Sequence, residues 1–209
     1  PNQAAPNPLP STALLPLAVT LPVLASENRL HTRTAFGLPA QAVLFTFSFD
    51  LNSSIHRKNP LMALRAFQRA FPPEHPLAAQ VALLIKTHRP NRPNRDWDRL
   101  KAEAAADLRL HILETTLPRT ELLELYAACD GFISLHRAEG FRRGLAEALM
   151  LGLDVIATEH GGNTDFCTGP LAHPVRCQMV RVNNGEYPYH RRQQWAQPSV
   201  AHAAELLQE

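Results

Sequence analysis

Apolar positions along the chain fall into short unbroken runs, separated by stretches with helical spacing. Ala42-Val43-Leu44-Phe45-Thr46-Phe47 is a run of strand length, and Val81–Ile85, Leu108–Leu113, Gly131–Leu135 and Asp154–Ala157 repeat it. Between the first two runs, Asn59 is expected to cap a helix with Pro60 in its first turn and Leu64, Phe67 and Phe71 on one face. Asp96–Asp107, rich in Ala, Leu and Lys, reads as the next helix. Pro118 opens a third, whose Leu122, Leu125, Tyr126 and Cys129 recur at i, i+3, i+4 and i+7. Gly144–Leu151 reads as a helix, Val175–Val182 as a sixth strand, and Val200–Leu207 as the closing helix. Strands without apolar–polar alternation are buried on both faces. Their exchange with amphipathic helices predicts an α/β, Rossmann-like domain: a parallel sheet with helices on both faces.

Composition sharpens this picture in a few places. The 209 residues are 45% hydrophobic and 19% charged, which suits one folded domain and excludes wholesale disorder. Pro1, Pro6, Pro8, Pro10, Pro16 and Pro22 mark residues 1–30 as an extended linker, leaving 31–209 as the domain. The same prolines break the best candidate for a membrane span. A net charge of +2, with basic residues scattered along the chain, calls for no nucleic-acid partner. Cys129, Cys167 and Cys177 show neither metal nor disulfide spacing, so they read as small buried hydrophobes in a reducing, cytoplasmic protein. The first residue is not Met and no basic leader follows it, so the chain reads as a piece of something longer.

In open α/β sheets, ligands sit beyond the carboxyl ends of the strands. Three connections there carry polar or glycine-rich material: 50–58, with Arg57 and Lys58 at its end; 136–144; and 159–163, with Gly161-Gly162-Asn163. Glycines admit close backbone approach and helix starts offer unpaired amides, so a phosphate-bearing ligand is the expectation. Each signal alone has a plainer explanation. A cationic pair before a helix is usually solvated, and Gly-Gly is as readily a tight turn. Asp96-Trp97-Asp98 has the form of a metal-binding acidic triplet, but acids at a helix start also favour the macrodipole, and that reading is preferred. His88, His111, His136 and His160 lack the spacing of a zinc site and read as surface or satisfied core residues.

Glu139 and Glu147 form the more specific signal. One lies in the loop before a helix and the other about a turn inside it, with Gly140-Phe141 between them. Two acids flanking a helix N-terminus can accept hydrogen bonds from hydroxyls on either side of a bound diphosphate. Glu139-Gly140-Phe141 through Ala146-Glu147-Ala148 resembles the E-x7-E signature of retaining GT-B glycosyltransferases, the glycosyl transferases group 1. Phe49-Asp50, Ser53 and Arg57-Lys58-Asn59-Pro60 resemble the start of the donor-binding domain in a bacterial subgroup. Ser134-Leu135-His136-Arg137, Val155-Ile156-Ala157-Thr158, Gly161-Gly162-Asn163 and Asp165-Phe166 agree in order and spacing, over roughly residues 36–200.

The resemblance implies one half of a GT-B architecture: the C-terminal domain, holding a UDP- or GDP-sugar without a metal cofactor. A separate N-terminal domain, outside these residues, would bind a glycan or lipid-linked acceptor, so this chain alone is expected to be inactive. Lys58, with Arg57, would neutralise the diphosphate. Glu139 would engage the sugar and Glu147 the ribose, and Gly140, Phe141, Arg142, Gly144 and Leu145 would line the phosphates and sugar. Ser53, His136, Gly161, Gly162 and Asn163 complete the expected donor site. Two positions depart from the family pattern: Ser53 stands where an arginine is usual, and Arg142 stands where glycine is frequent. The implied role is surface polysaccharide or lipopolysaccharide synthesis in the cytoplasm, with peripheral attachment at the inner membrane face through the other domain. A non-catalytic nucleotide-sugar-binding module and a GT-B-like sugar-nucleotide epimerase are the alternatives.

Overall fold

The computed structural model describes residues 17–24 and 28–209. Its elements run α1 (Arg29–Ala35), β1 (Val43–Phe49), α2 (Ile55–Lys58), α3 (Pro60–Ala70), β2 (Val81–Thr87), α4 (Arg95–Ala104), β3 (Leu110–Glu114) and α5 (Arg119–Ala127). They continue with β4 (Gly131–Ser134), α6 (Arg143–Met150), β5 (Asp154–Thr158), β6 (Ala172–Val175), β7 (Cys177–Arg181), β8 (Gln194–Pro198) and α7 (Val200–Leu206). Six strands form a parallel sheet in the order β3-β2-β1-β4-β5-β6. The expected Rossmann-like α/β sheet is what the chain forms.

Each face of the sheet buries its own cluster. Phe45, Phe47 and Phe49 of β1 meet Phe67, Phe71 and Trp97 from α3, the residue after it, and α4, with α7 closing the same side. Leu44 and Leu84 face the other way, against Leu123 and Tyr126 of α5 and Leu145 of α6. That two-sided burial explains why the strands read as continuous apolar runs.

Several boundaries differ from the sequence expectation. The helix expected at 96–107 starts at Arg95 because the Asn94 side chain caps it, and Leu108, expected in the third strand, is 94% exposed. In α5 Leu123 is fully buried along with the expected Leu125, while Leu122 is only half-buried. Asn59 does not cap α3 with its side chain. It takes a left-handed conformation between α2 and α3, and its Nδ2 donates to the Leu135 carbonyl at 2.8 Å. The single strand expected over Val175–Val182 is two: β6 completes the parallel sheet, and β7 pairs antiparallel with β8. The break falls at Arg176, whose amide donates to His202 Nδ1 rather than to a ladder. Pro174, lacking an amide, suits the edge strand. Cys129 is buried as expected, but Cys167 and Cys177 are half-buried.

The expected linker lies largely outside the described residues. Of the part that is described, 17–24 has no regular structure, and Leu21 and Leu24 pack against the second cluster. Arg29 already belongs to a helix, which Arg33 fastens to the sheet. Its guanidinium donates to the carbonyls of Ala128 at 2.8 Å and Ala42 at 2.7 Å, and to Asp130 Oδ2 at 2.8 Å. Asp130 in turn accepts from the Leu44 amide at 2.8 Å. Truncating a buried, multiply bonded cation strands its acceptors. Arg33→Ala should therefore lower stability by about 2–4 kcal/mol. The measurement is a urea titration, with a lower midpoint at unchanged slope.

Candidate functional site

The crossovers change face between β1 and β4, and the register of these two strands covers only Phe45 to Gly131 and Thr46 to Phe132. Beyond that their carboxyl ends diverge, and the loops of the candidate site occupy the gap. Ser54 caps the single turn of α2 by accepting from the Arg57 amide at 3.2 Å. The turn delivers two cations to one carboxylate. Lys58 Nζ lies 2.5 Å from Glu139 Oε1, and Arg57 Nη1 lies 3.0 Å from Glu139 Oε2. Arg57 also donates to the Ala138 carbonyl at 2.9 Å and to Ser53 Oγ at 2.7 Å. Ser53, standing where the family pattern has arginine, thus orients the arginine four residues on.

A third cation comes from below. Arg142 has φ 66° and ψ 68°, the left-handed region, which explains why glycine suits this position. Its guanidinium donates through Nη2 to the Ser48 carbonyl at 2.7 Å and through Nε to Ser134 Oγ at 3.2 Å, and lies 5.7 Å from the centre of the Phe47 ring. It spans β1 and β4 just past the end of their ladder, and each of these bonds is to the protein interior. Three positive groups surround one negative one, and both sides of the pair register the surplus. Burial is the main cause that lowers the Lys58 pKa, with Arg142 next, and the hydrogen bond that Lys58 donates to Glu139 offsets only part of this. Burial would raise Glu139, but Arg142, Lys58 and Arg57 overcome it and hold the carboxyl below its usual range.

Under this cluster runs a buried chain. His136 is fully buried, and its Nε2 faces acceptors, Asn163 Oδ1 at 3.0 Å and the His160 carbonyl at 3.2 Å. The proton is therefore assigned to Nε2, leaving Nδ1 to accept from Ser134 Oγ at 3.0 Å. Asn163 Nδ2 donates onward to the Thr158 carbonyl at 3.0 Å. His136 and Asn163, expected at the donor, lie beneath the site and satisfy one another. The neighbouring glycines join two loops. A Cβ on Gly162 would lie 1.6 Å from the Gly140 carbonyl oxygen, and Gly161 has φ 98° with the Glu139 carbonyl 2.6 Å from its Cβ position. The close approach these glycines permit is of loop to loop.

Glu147 is 4% exposed and is held by a residue the sequence did not single out: Arg119, at the start of α5, lies 2.5 Å from Glu147 Oε1. Arg119 also donates to the Thr20 carbonyl at 2.8 Å. The two glutamates are thus partnered from different elements, Glu139 by α2 and Glu147 by α5. Between them, Gly140 borders open space, Phe141 packs on Phe166 with ring centres 4.8 Å apart, Gly144 faces Phe132 and Tyr126, and Leu145 is fully buried. No side chain caps the N-terminus of α6. Among the described residues no three His, Cys, Asp or Glu gather as a metal set. Asp96 faces His56 at 3.4 Å and Asp98 faces Lys101 at 3.3 Å, while Trp97 is core. No helix among the described residues is long and apolar enough to cross a membrane.

The buried imidazole carries a pH signature. Burial first, and the Arg142 charge second, hold His136 down at about 4, whereas an unfolded histidine titrates near ~6.5. Between these values the unfolded chain binds a proton that the folded protein does not, so stability falls as pH drops through that window. The loss should reach on the order of 3 kcal/mol at the lower end. Urea midpoints for the parent and His136→Gln, taken between pH ~7 and ~4.5, should fall less steeply in the variant. Equal slopes would show that His136 titrates normally.

Known proteins share this fold. No curated protein matches the sequence. Among solved structures, the α,α-trehalose 6-phosphate synthase of Burkholderia multivorans superposes over 85% of this chain and 36% of its own, at 15% identity and TM-score 0.59. HepE of Anabaena, in complex with UDP and glucose, covers 68% and 36%, at 20% identity and TM-score 0.55. WaaG, a glycosyltransferase of lipopolysaccharide biosynthesis, covers 66% and 35%, at 21% identity and TM-score 0.51. The chain thus spans about a third of the length of each, and at these identities the likeness is one of fold. Residues 44–176, more than half of the sequence, match the glycosyl transferases group 1, and the chain belongs to that family.

Proposed function

We propose that this chain is the donor-binding half of a retaining glycosyltransferase, moving a sugar from a UDP- or GDP-sugar to a glycan or lipid-linked acceptor. The observation that carries the reading is the cluster of Arg57, Lys58 and Arg142 around Glu139 at the mouth of the β1–β4 crevice. When the bond from the sugar to the diphosphate breaks, the electron pair leaves with the diphosphate. Lys58 and Arg57 neutralise that charge, and the cationic surplus beneath them adds to the field without a metal ion. Glu139 takes the hydroxyls of the transferred sugar, and Glu147, oriented by Arg119, takes those of the ribose.

The side chains of Lys58 and Glu139 are 11% and 9% exposed. Donor therefore enters by exchange of partners: the diphosphate takes Lys58, and the released carboxylate turns to the sugar. An N-terminal domain would supply the acceptor and close the crevice, so this half alone binds donor without transferring it. The structures of HepE with UDP and glucose and with UDP-glucose make UDP compounds the first probes. The kinship of fold with WaaG favours bacterial surface polysaccharide or lipopolysaccharide as the product, with the enzyme acting in the cytoplasm.

Calorimetry with UDP, GDP and UDP-glucose tests the assignment. Lys58→Ala removes a charge-assisted contact worth about 1.5–3 kcal/mol, or roughly one to two decades of affinity for every diphosphate probe. Glu147→Ala should weaken UDP and UDP-glucose alike. Glu139→Gln should bind UDP at least as tightly as the parent, because the carboxylate competing for Lys58 has lost its charge, and should weaken only UDP-glucose. Small, equal effects of all three substitutions on both ligands would sink the donor-site reading.

A further inference from the structure

Arginines that are scattered in the sequence are gathered by the fold. The connection from β2 to α4 carries Arg89 and Arg92, α4 opens on Arg95, and the connection from β7 to β8 carries Arg191 and Arg192, all exposed. Both connections are bonded to one short stretch of the loop after β1. The Asn91 amide donates to Asn52 Oδ1 at 2.8 Å, and Ser54 Oγ donates to the Glu186 carbonyl at 3.1 Å. The start of α4 and the hairpin also face each other across a cavity of about 330 Å³, lined by Asp96 and Arg99 on one side and Arg137 and Glu186 on the other.

Two of the acids nearby are already partnered, and Glu103 on the same cavity has no ion partner among the described residues. Glu186 pairs with Arg137 at 3.6 Å, and Asp96 with His56 at 3.4 Å. None of the five arginines has an ion partner among the described residues. The hairpin connection spans residues 182–193, far more than the roughly two to five residues a hairpin needs. It holds Tyr189 92% exposed in a left-handed conformation (φ 55°), and Arg192 is left-handed too (φ 63°). Non-glycine residues take that region at a cost, so the loop is held in shape rather than draped. Its anchors are the Tyr187 ring set edge-on to Trp195, and the Arg137 guanidinium lying 4.9 Å from the Trp195 ring centre.

We propose that these two loops form one docking surface for a membrane of anionic phospholipid, with the arginines on lipid phosphates and Tyr189 at headgroup depth. Guanidinium groups are suited to phosphate oxygens, and an exposed tyrosine among them suits a layer that is apolar on one side and wet on the other. The arginines come from two loops and the start of α4, spread over separate segments, so they meet many separate phosphates rather than one. The surface borders the loop that carries Arg57 and Lys58, so docking sets the donor crevice beside the bilayer. This inference stands apart from the donor reading.

The test is co-sedimentation of the whole chain with vesicles of phosphatidylcholine, alone or mixed with phosphatidylglycerol. Binding should appear only with phosphatidylglycerol and weaken as salt is added. Each arginine near such a surface contributes about fivefold, so Arg92→Glu with Arg191→Glu should lower the partition by more than about tenfold. Tyr189→Ala should lower it several-fold. These variants should bind UDP as the parent does, and a parent that fails to bind UDP would sink the donor reading while leaving the vesicle result in place. Equal binding to both vesicles, no binding to phosphatidylglycerol, or undiminished binding by the double variant would overturn the proposal. So would tighter binding to a single-stranded oligonucleotide than to the vesicles at equal salt, or saturable binding of inorganic pyrophosphate abolished by the same substitutions.

Discussion

Beyond Thr46 and Phe132, β1 and β4 no longer share a ladder, although they are neighbours in the middle of the sheet. A gap in the centre of a parallel sheet leaves backbone carbonyls and side chains without strand partners, and buried polar groups left unsatisfied are costly. The chain fills the gap with two polar side chains, one long and one short. Arg142 reaches the Ser48 carbonyl from one side, and Asn59 reaches the Leu135 carbonyl from the other. Both sit in left-handed backbone, since each must turn inward from the start of a helix. The loops carrying Lys58 and Glu139 are set by those two inward turns, so the ion cluster follows from how the sheet is closed.

Much of this was legible in the sequence for a definite reason. Strands buried on both faces need continuous apolar runs, and the first five were visible as such. The sixth was not, because Pro174 and Arg176 interrupt a stretch of otherwise strand-like residues, and its division depends on an amide turning toward His202. β8, Gln194–Pro198, has glutamines in two of its five positions and no run to detect. Its Trp195 is buried against Arg137 and Tyr187, contacts that local pattern cannot show.

At the site, the spacing of Glu139 and Glu147 and the pair Arg57-Lys58 were readable, because helix starts and loops confine such residues to one sheet edge. Which cation meets which acid was not. Arg119 lies 28 positions from Glu147, and only the packing of α5 beside α6 brings them together. His136 and Asn163 carry the chemistry of ligands in sequence, and the fold uses them on each other. The arginine surface was invisible for a related reason: its parts lie about a hundred residues apart along the chain and are united through Asn52 and Ser54.

The contact between Gly162 and Gly140 leaves no room for even one carbon atom. A lineage carrying this pair cannot exchange Gly162 for another residue by single steps, because every intermediate must first spread residues 139–141 away from the loop at 161–163. The two segments are therefore tied in their history as well as in space. New specificity in this crevice is more readily acquired at its open margin, where Gly140 itself borders empty space and a side chain can be added without moving anything.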